Sequence, residues 1–233
     1  MRFNSLVAVI ALATAAVPSF ADAVSGTTSG AWVNPTPGAS PVVTTGLGTA
    51  SFTWGASTGA TPPNSVAFDN LGGAFASTTE TPFKVGKITY FNGTTALGST
   101  PDSVQLALTL DFAGPALGPI TSNYTFNIIT TPNTADPDAS ADYLNLPTAF
   151  STTSFLIGTT TYNVKLTGFA DIVGDGFLDS TDLALHVREG GTASADLFAE
   201  VTTQVSGVPE PQNVALMLAG LGLMGFVARR RRG

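Results

Sequence analysis

The chain has 233 residues, and only 11% of them are charged, under half of the roughly 25% usual for a soluble domain. Five of its 9 basic residues lie at the two ends, at Arg2 and in the run 229–232. The segment 24–207 therefore carries 14 acidic against 4 basic side chains, a formal net charge of −10. A nucleic-acid-binding protein needs a basic surface that displaces counterions from phosphates, so this balance excludes nucleic acid as a partner.

The sequence also lacks cysteine and has a single histidine, His186. The lack of cysteine excludes disulfides, thiol catalysis and cysteine-based metal sites. One imidazole leaves little scope for a catalytic triad or a multi-histidine metal site. His186 alternates with apolar neighbours within Leu185–Glu189, and we interpret it as part of the polar face of a strand. We therefore predict no catalytic residues and no enzymatic activity.

The N-terminal segment 1–21 has the three zones of a secretory signal peptide. Arg2 is the positive start, Leu6–Val17 is the apolar stretch, and small residues follow. The rule of small residues at alternate positions permits cleavage after Ala21 or after Ala23, and we favour Ala21. We expect the chain to be exported as a precursor whose N-terminal signal helix is removed by signal peptidase.

The C-terminal segment 214–228 is a run of 15 uncharged, mainly apolar residues. At ~1.5 Å per residue it spans ~22 Å, against a hydrocarbon core of ~30 Å. Arginine side chains extend such a short span by reaching the interface, and they keep that end on the cytoplasmic side. We predict a single transmembrane helix over 214–228. The arginines that follow it are Arg229, Arg230, Arg231 and Arg232.

Directly before this segment stand Pro209, Glu210 and Pro211. Pro-Glu-Pro, an apolar stretch and a terminal arginine cluster, in this order, resemble the PEP-CTERM sorting signal of exosortase substrates. The resemblance covers Val208–Gly233. It implies that a membrane transpeptidase, exosortase, recognises Pro-Glu-Pro in an inner-membrane-anchored precursor, removes the transient anchor and delivers the body to the envelope or extracellular matrix. Family members occur in Gram-negative bacteria that make exopolysaccharide, which implies a role with exopolysaccharide or in a biofilm.

Between the two terminal signals the dominant hydrophobic period is two residues, as in half-buried strands. Ser103–Phe112 is the clearest case, because apolar and more polar residues alternate along it. Shorter runs of the same kind are Phe52–Trp54, Tyr124–Ile128, Tyr162–Leu166 and Leu197–Val201. Asn92-Gly93 follows the run Lys87–Phe91 and predicts a hairpin with a type I′ turn. We predict one extracellular all-β domain over 22–207, an antiparallel β-sandwich of jelly-roll or Greek-key type.

Several peptides of the body are similar to the choice-of-anchor K domain, a family named for the varied C-terminal anchors that follow one exported domain. The resemblance covers about Trp32 to Val205 and implies an all-β extracellular domain without an assigned activity. Its peptides are Gly46–Thr49, Phe52–Gly55, Thr89–Thr94, Asn133–Asp142, and Glu189–Gly191 ahead of Leu197–Ala199.

Two acidic segments are candidates for calcium binding. Asp136, Asp138, Ser140 and Asp142 place oxygen ligands at every second position, as the first half of an EF-hand loop does, and the three aspartates are the candidate Ca²⁺ ligands. Ala141 stands where that loop needs glycine, and Pro147 stands where it needs glutamate. The second segment carries Asp171, Asp175, Asp179 and Asp182. Both interpretations stay open at this point, weak Ca²⁺ sites or solvated turns capped by aspartate, and no other cofactor is indicated.

The leading functional hypothesis is a non-catalytic exported protein of the envelope or extracellular matrix. One alternative is a carbohydrate-binding module whose exposed aromatic rings stack on sugars. Because the body is acidic, such a module would bind neutral or calcium-bridged polysaccharide. The aromatic candidates are Trp32, Trp54, Tyr90, Tyr124, Tyr143 and Tyr162. A second alternative is an envelope hydrolase that uses a pair of carboxylates.

Overall fold

The computed structural model describes residues 21–37, 42–59, 61–177, 183–205 and 211–232. The predicted signal helix lies outside these residues, apart from the cleavage region at Ala21 to Ala23. The strands belong to a compact unit over Ala21–Gln204, and the single described helix belongs to a second unit. The elements are β1 (Ala23–Pro37), β2 (Thr44–Thr45), β3 (Ser51–Trp54), β4 (Asn64–Asp69), β5 (Ala74–Thr78), β6 (Phe83–Phe91), β7 (Pro101–Gly114), β8 (Gly118–Ile129), β9 (Asp142–Asn145), β10 (Thr152–Ile157), β11 (Thr160–Phe177), β12 (Ala184–Val205) and α1 (Pro211–Arg232).

The strands form one curled sheet in the order β2-β3-β4-β6-β12-β9-β8-β7-β1-β5, with β10 and β11 attached through β12. All ten strand pairings with a described residue register are antiparallel. The structure thus confirms the predicted all-β antiparallel class. The predicted sandwich is not confirmed, because the strands belong to one curled sheet and not to two separate ones. Hydrophobic alternation tells which face of a strand is buried, but it does not tell where a sheet bends.

Strand β7 is the predicted Ser103–Phe112 run, extended by two residues at each end. Its apolar positions are buried from Val104 to Phe112, and the residues between them are half-buried or exposed. It pairs with β1 on one side and with β8 on the other. The shorter predicted runs all lie within strands, in β3, β8, β11 and β12.

The curl brings the β5 end of the sheet against β6. Phe75 of β5 stacks on Phe83 of β6 with ring centroids 4.9 Å apart, and its edge meets Phe112 of β7 at 5.3 Å. Phe68 of β4 fills the space between β1 and β6, where both facing residues are glycines. A Cβ atom on Gly30 would lie 2.5 Å from the Phe68 ring, and one on Gly86 would overlap it as well. Aromatic rings therefore fill this part of the core, and the Phe68 ring packs directly against the glycine backbone of β1 and β6.

The hairpin predicted at Asn92-Gly93 is wrong. Strand β6 ends at Phe91, and the next strand, β7, pairs with β1 and β8 instead of with β6. Asn92 is buried, and its side-chain amide donates to the carbonyl oxygens of Val187 at 2.8 Å and Ser140 at 3.3 Å. The Gly93 amide donates to Oδ1 of Asn64 at 2.7 Å. These long-range bonds outweigh the local turn preference of the dipeptide.

Candidate functional site

The C-terminal helix α1 begins at Pro211, a residue tolerated in the first turn because its missing N–H has no partner there. Arg229 and Arg230 are exposed in its last turn, where cations interact favourably with the helix dipole. Arg231 and Arg232 complete the helix, whereas Pro209 and Glu210 lie outside the described residues. The helix exposes large apolar side chains along its described length: Leu216, Met217, Leu218, Leu221, Leu223, Met224, Phe226 and Val227.

None of the helical residues that the structure describes forms a segment both long and apolar enough to cross a membrane. The transmembrane helix predicted over 214–228 is therefore not confirmed.

The C-terminal segment matches a known family. Residues 207–232 match the family model described as the PEP-CTERM protein-sorting motif. The chain carries a PEP-CTERM sorting signal. The motif indicates an exported, envelope-directed protein that exosortase processes. This confirms the sorting signal predicted from Pro-Glu-Pro, the apolar stretch and the arginines.

The family match covers the C-terminal segment and does not extend into the β domain. No curated protein matches the chain. The resemblance of Trp32–Val205 to the choice-of-anchor K domain stays a prediction, because the matched family model covers the PEP-CTERM segment alone.

The first predicted calcium segment is a loop whose three aspartates do not converge. Asp142 points into the protein and is 3% exposed; its Oδ1 accepts hydrogen bonds from Thr131 N at 2.7 Å and Thr131 Oγ1 at 3.2 Å. Asp136 Oδ1 accepts from the amide of Asp138 at 2.9 Å, an Asx turn. Asp138 is exposed, and its Oδ1 lies 3.2 Å from Nε of Arg188. Each carboxylate therefore already has a structural partner.

Burial, together with a smaller effect of the negative charge of Glu189, raises the pKa of Asp142 to about 6. The hydrogen bonds from Thr131 and Asn64 act in the opposite direction, because they stabilise the carboxylate. Desolvation is the larger effect, so this side chain is an internal titrating group and not a surface ligand.

Among the residues that the structure describes, no three His, Asp or Glu side chains form a group that could hold a metal ion. In the second acidic segment only Asp171 has a described side chain; it is exposed, with a φ of 53°. Asp179 and Asp182 lie outside the described residues, as does the side chain of Asp175. Calcium binding by that segment stays a prediction.

Two side-chain hydrogen bonds hold the loop that contains Asp136 and Asp138 against the loop after β6. The side-chain amide of Asn133 donates to the carbonyl of Thr95 at 2.5 Å, and that of Asn92 donates to the carbonyl of Ser140. Tyr90 lies in the core, where burial and the negative charge of Asp142 raise its pKa well above the usual value. The loop therefore covers one polar end of the core.

The aromatic residues do not form an exposed platform. Trp32, Trp54 and Tyr90 are at most 1% exposed, and Tyr124 and Tyr162 are 8% exposed. These five residues belong to the core, and Trp54 stacks on Tyr90 at 5.8 Å.

Tyr143 differs from the other five aromatic candidates because it is half-buried on the outer face of the sheet. It lies opposite His186 in the pairing of β9 with β12. The two rings are stacked with centroids 3.9 Å apart and planes at 8°. The structure thus confirms that His186 lies on the polar face of a strand.

A sequence signal that pattern reading missed is Gly55–Gly59, which has the letters of the G-x-S-x-G nucleophile elbow. The elbow requires a strand followed at once by a helix. Here the peptide follows β3 and leads through an irregular segment to β4. Ser57 Oγ donates to the carbonyl of Thr61 at 2.7 Å, so the serine closes a loop.

An open depression of about 340 Å³ lies beside β12. Its described lining is mostly apolar, with Phe169 and Phe198 on its wall, and it contains one carboxylate, Asp171. Glycoside hydrolysis by the usual mechanism needs two carboxylates that flank the bond. The depression therefore gives no support to the hydrolase alternative.

Proposed function

We propose that this protein is a non-catalytic structural component of the cell envelope or extracellular matrix, delivered there by exosortase. The observation that carries the proposal is the PEP-CTERM signal at 207–232, placed directly after an all-β body. A β domain that exosortase delivers to the envelope can serve as a structural component of a matrix without an active site.

The proposal that the protein is non-catalytic is supported by the structural contacts of three side chains that sequence analysis singled out. The single imidazole, His186, is stacked on Tyr143. In the acidic loop, Asp142 accepts hydrogen bonds from Thr131 and Asp138 pairs with Arg188. These contacts are those of side chains that stabilise loops and strands.

Replacement of the sorting glutamate tests the proposal. In Glu210→Gln, the acidic centre of Pro-Glu-Pro is lost, and we expect the protein to accumulate in the membrane fraction at precursor size. Cell fractionation and the intact mass of the purified protein measure this. Asp102→Asn, which removes one charge from an exposed position on β7, is the control and should be processed normally. Normal mass and location in Glu210→Gln would refute exosortase sorting.

Association with exopolysaccharide is the more specific part of the proposal. The outer face of β8 and β9 carries Tyr143 with two side-chain amides, Asn127 and Asn145, which lie opposite each other in the pairing. Amides bind sugar hydroxyls, and an aromatic ring packs against sugar C–H groups. Because the segment 24–207 has a net charge of −10, the expected ligand is a neutral polysaccharide or an acidic one bridged by divalent cations.

A glycan array with and without calcium tests this association. Tyr143→Ala should weaken binding to any glycan that the native protein retains. Leu97→Ala removes an exposed side chain from the loop between β6 and β7 and should leave binding unchanged. If the native protein binds no glycan in either condition, it does not recognise polysaccharide directly.

A further inference from the structure

Strand β10 is an edge of the sheet. It pairs with β11 through six consecutive residues, and among the described strands it has no other neighbour. The backbone N–H and C=O groups on the free side of an edge strand are available to another strand. The edge is thus a surface on which a further strand can be added.

The other ends of the sheet are protected in ways that β10 is not. Strand β2 is only two residues long. Strand β5 curls against β6 through the contact of Phe75 with Phe83. Strand β10 is six residues long and lies outside the main path of the sheet.

The sequence of β10 also lacks the features that prevent edge pairing. Natural edge strands are protected by lysine, proline or a β-bulge. The segment Thr-Thr-Ser-Phe-Leu-Ile contains no charge and no proline, and its register with β11 is unbroken. Leu156 is 68% exposed and Ile157 is 42% exposed. A regular, uncharged edge with exposed apolar side chains is an expected site of strand pairing.

The inner side of β10 fixes the strand in place. Phe155 packs against the hydrophobic core, and Thr153 faces Val164 across the pairing with β11. An incoming strand therefore meets an edge that is already extended, so little conformational entropy is lost on pairing.

We propose that β10 pairs antiparallel with β10 of a second copy of this chain, so that two sheets join into one. The charge distribution favours this place as the site of contact between two copies. Two bodies of net charge −10 repel each other over most of their surface, whereas β10 itself is uncharged. An identical strand also satisfies a two-fold axis without any further complementarity. The inference goes beyond the sorting function and does not depend on it.

The symmetry restricts the register of this pair. A two-fold axis perpendicular to the sheet keeps the outer faces of both copies on the same side, so outward residues face outward residues. Near the middle of β10 the outward residues are Ser154 and Leu156, which are both exposed. Ser154 therefore lies opposite either Ser154 or Leu156 of the second copy.

The lack of cysteine allows a direct test, because one introduced thiol reports one contact. The full chain is exported into an oxidising compartment as Ser154→Cys alone, and as a mixture of Ser154→Cys and Leu156→Cys. One of these two preparations should give a disulfide-linked dimer on a non-reducing gel, since the Cα atoms of directly paired residues lie within disulfide range. Ala76→Cys, at an exposed position of β5, should not.

A charge placed on the edge provides the second measurement. Leu156→Lys should weaken self-association of the full chain in mild detergent by about tenfold or more, measured by light scattering. Leu97→Lys is the matched control, because Leu97 is 70% exposed outside β10, and it should leave self-association unchanged.

Three results would overturn the pairing: no cross-link in either preparation, equal cross-linking through Ala76→Cys, or a disulfide to a different protein at position 154. A dimer that persists in the Glu210→Gln chain separates this inference from sorting, because that substitution leaves β10 intact.

Discussion

At the scale of single residues, Asp142 is the group whose environment differs most from what its sequence indicates. In the sequence it is one of several aspartates in an acidic segment, and nothing local distinguishes it from Asp136. In the fold it begins β9 and is turned into the core, where Thr131 binds its Oδ1. Burial depends on which strand pairs with β9, and a local pattern does not contain that information.

The raised pKa of Asp142 predicts a pH-dependent stability. The group has a pKa of about 6 in the folded protein, against 3.8 as its ordinary value, so between these pH values the folded state binds more protons than the unfolded state. Its contribution to stability is therefore full below pH 3.8 and is lost as pH rises through about 6. The loss is on the order of 2 to 3 kcal/mol.

Urea unfolding at several pH values in this range measures the effect. Asp142→Asn keeps the Oδ1 acceptor for Thr131 but does not titrate, so its curve should lack this loss of stability. Asp138→Asn, at an exposed position of the same loop, should retain it. A loss of equal size in Asp142→Asn and the native chain would show that another group is responsible.

At the scale of elements, the start of β1 distinguishes the two cleavage sites that the signal-peptide rule permits. Asp22 is already bound to the fold: its amide donates to Thr79 Oγ1 at 3.0 Å, and its carbonyl accepts from the Thr79 amide at 2.8 Å. The hydroxyl of Tyr162 donates to Asp22 Oδ2 at 2.9 Å, and this bond raises the pKa of the tyrosine. Cleavage after Ala23 would remove all three bonds.

We therefore predict that the mature chain begins at Asp22. After cleavage there, the new amino group still donates to Thr79 Oγ1, and Val24 keeps its buried place in β1. N-terminal sequencing and the intact mass of the exported protein measure the site. A mature chain that begins at Val24 would contradict the prediction.

The strands also show which structural features a local sequence pattern predicts and which it does not. The alternation in Ser103–Phe112 predicted β7 because one face of that strand packs on the core along its whole length. Asn92-Gly93 was misjudged because turn propensity is local, whereas the partners of Asn92 lie 48 and 95 residues away along the chain. The order of strands along the sheet is set by such distant contacts, so it was not predictable from a single sequence.

At the scale of the whole molecule, the functional information is divided unevenly along the chain. The PEP-CTERM signal was predictable because exosortase substrates are identified by a short linear order of residues near the C-terminus. The body carries no comparable linear signal. Its β10 edge becomes visible only when the strand order and the exposure of Leu156 are known together. Placed beside sorting, an edge of this kind gives an exported domain a means of joining its neighbours.

The glycines that face Phe68 have a consequence for how this fold can vary. Gly30 of β1 and Gly86 of β6 leave room for one aromatic ring from β4. The packing of these three strands therefore depends on the combined size of the side chains at positions 30, 68 and 86. A side chain at position 30 or 86 fits this curl only if the residue at position 68 becomes smaller. Homologous or engineered sequences that keep the curl should therefore change these three positions together, whereas a lone substitution at either glycine displaces β1 or β6 from the Phe68 ring.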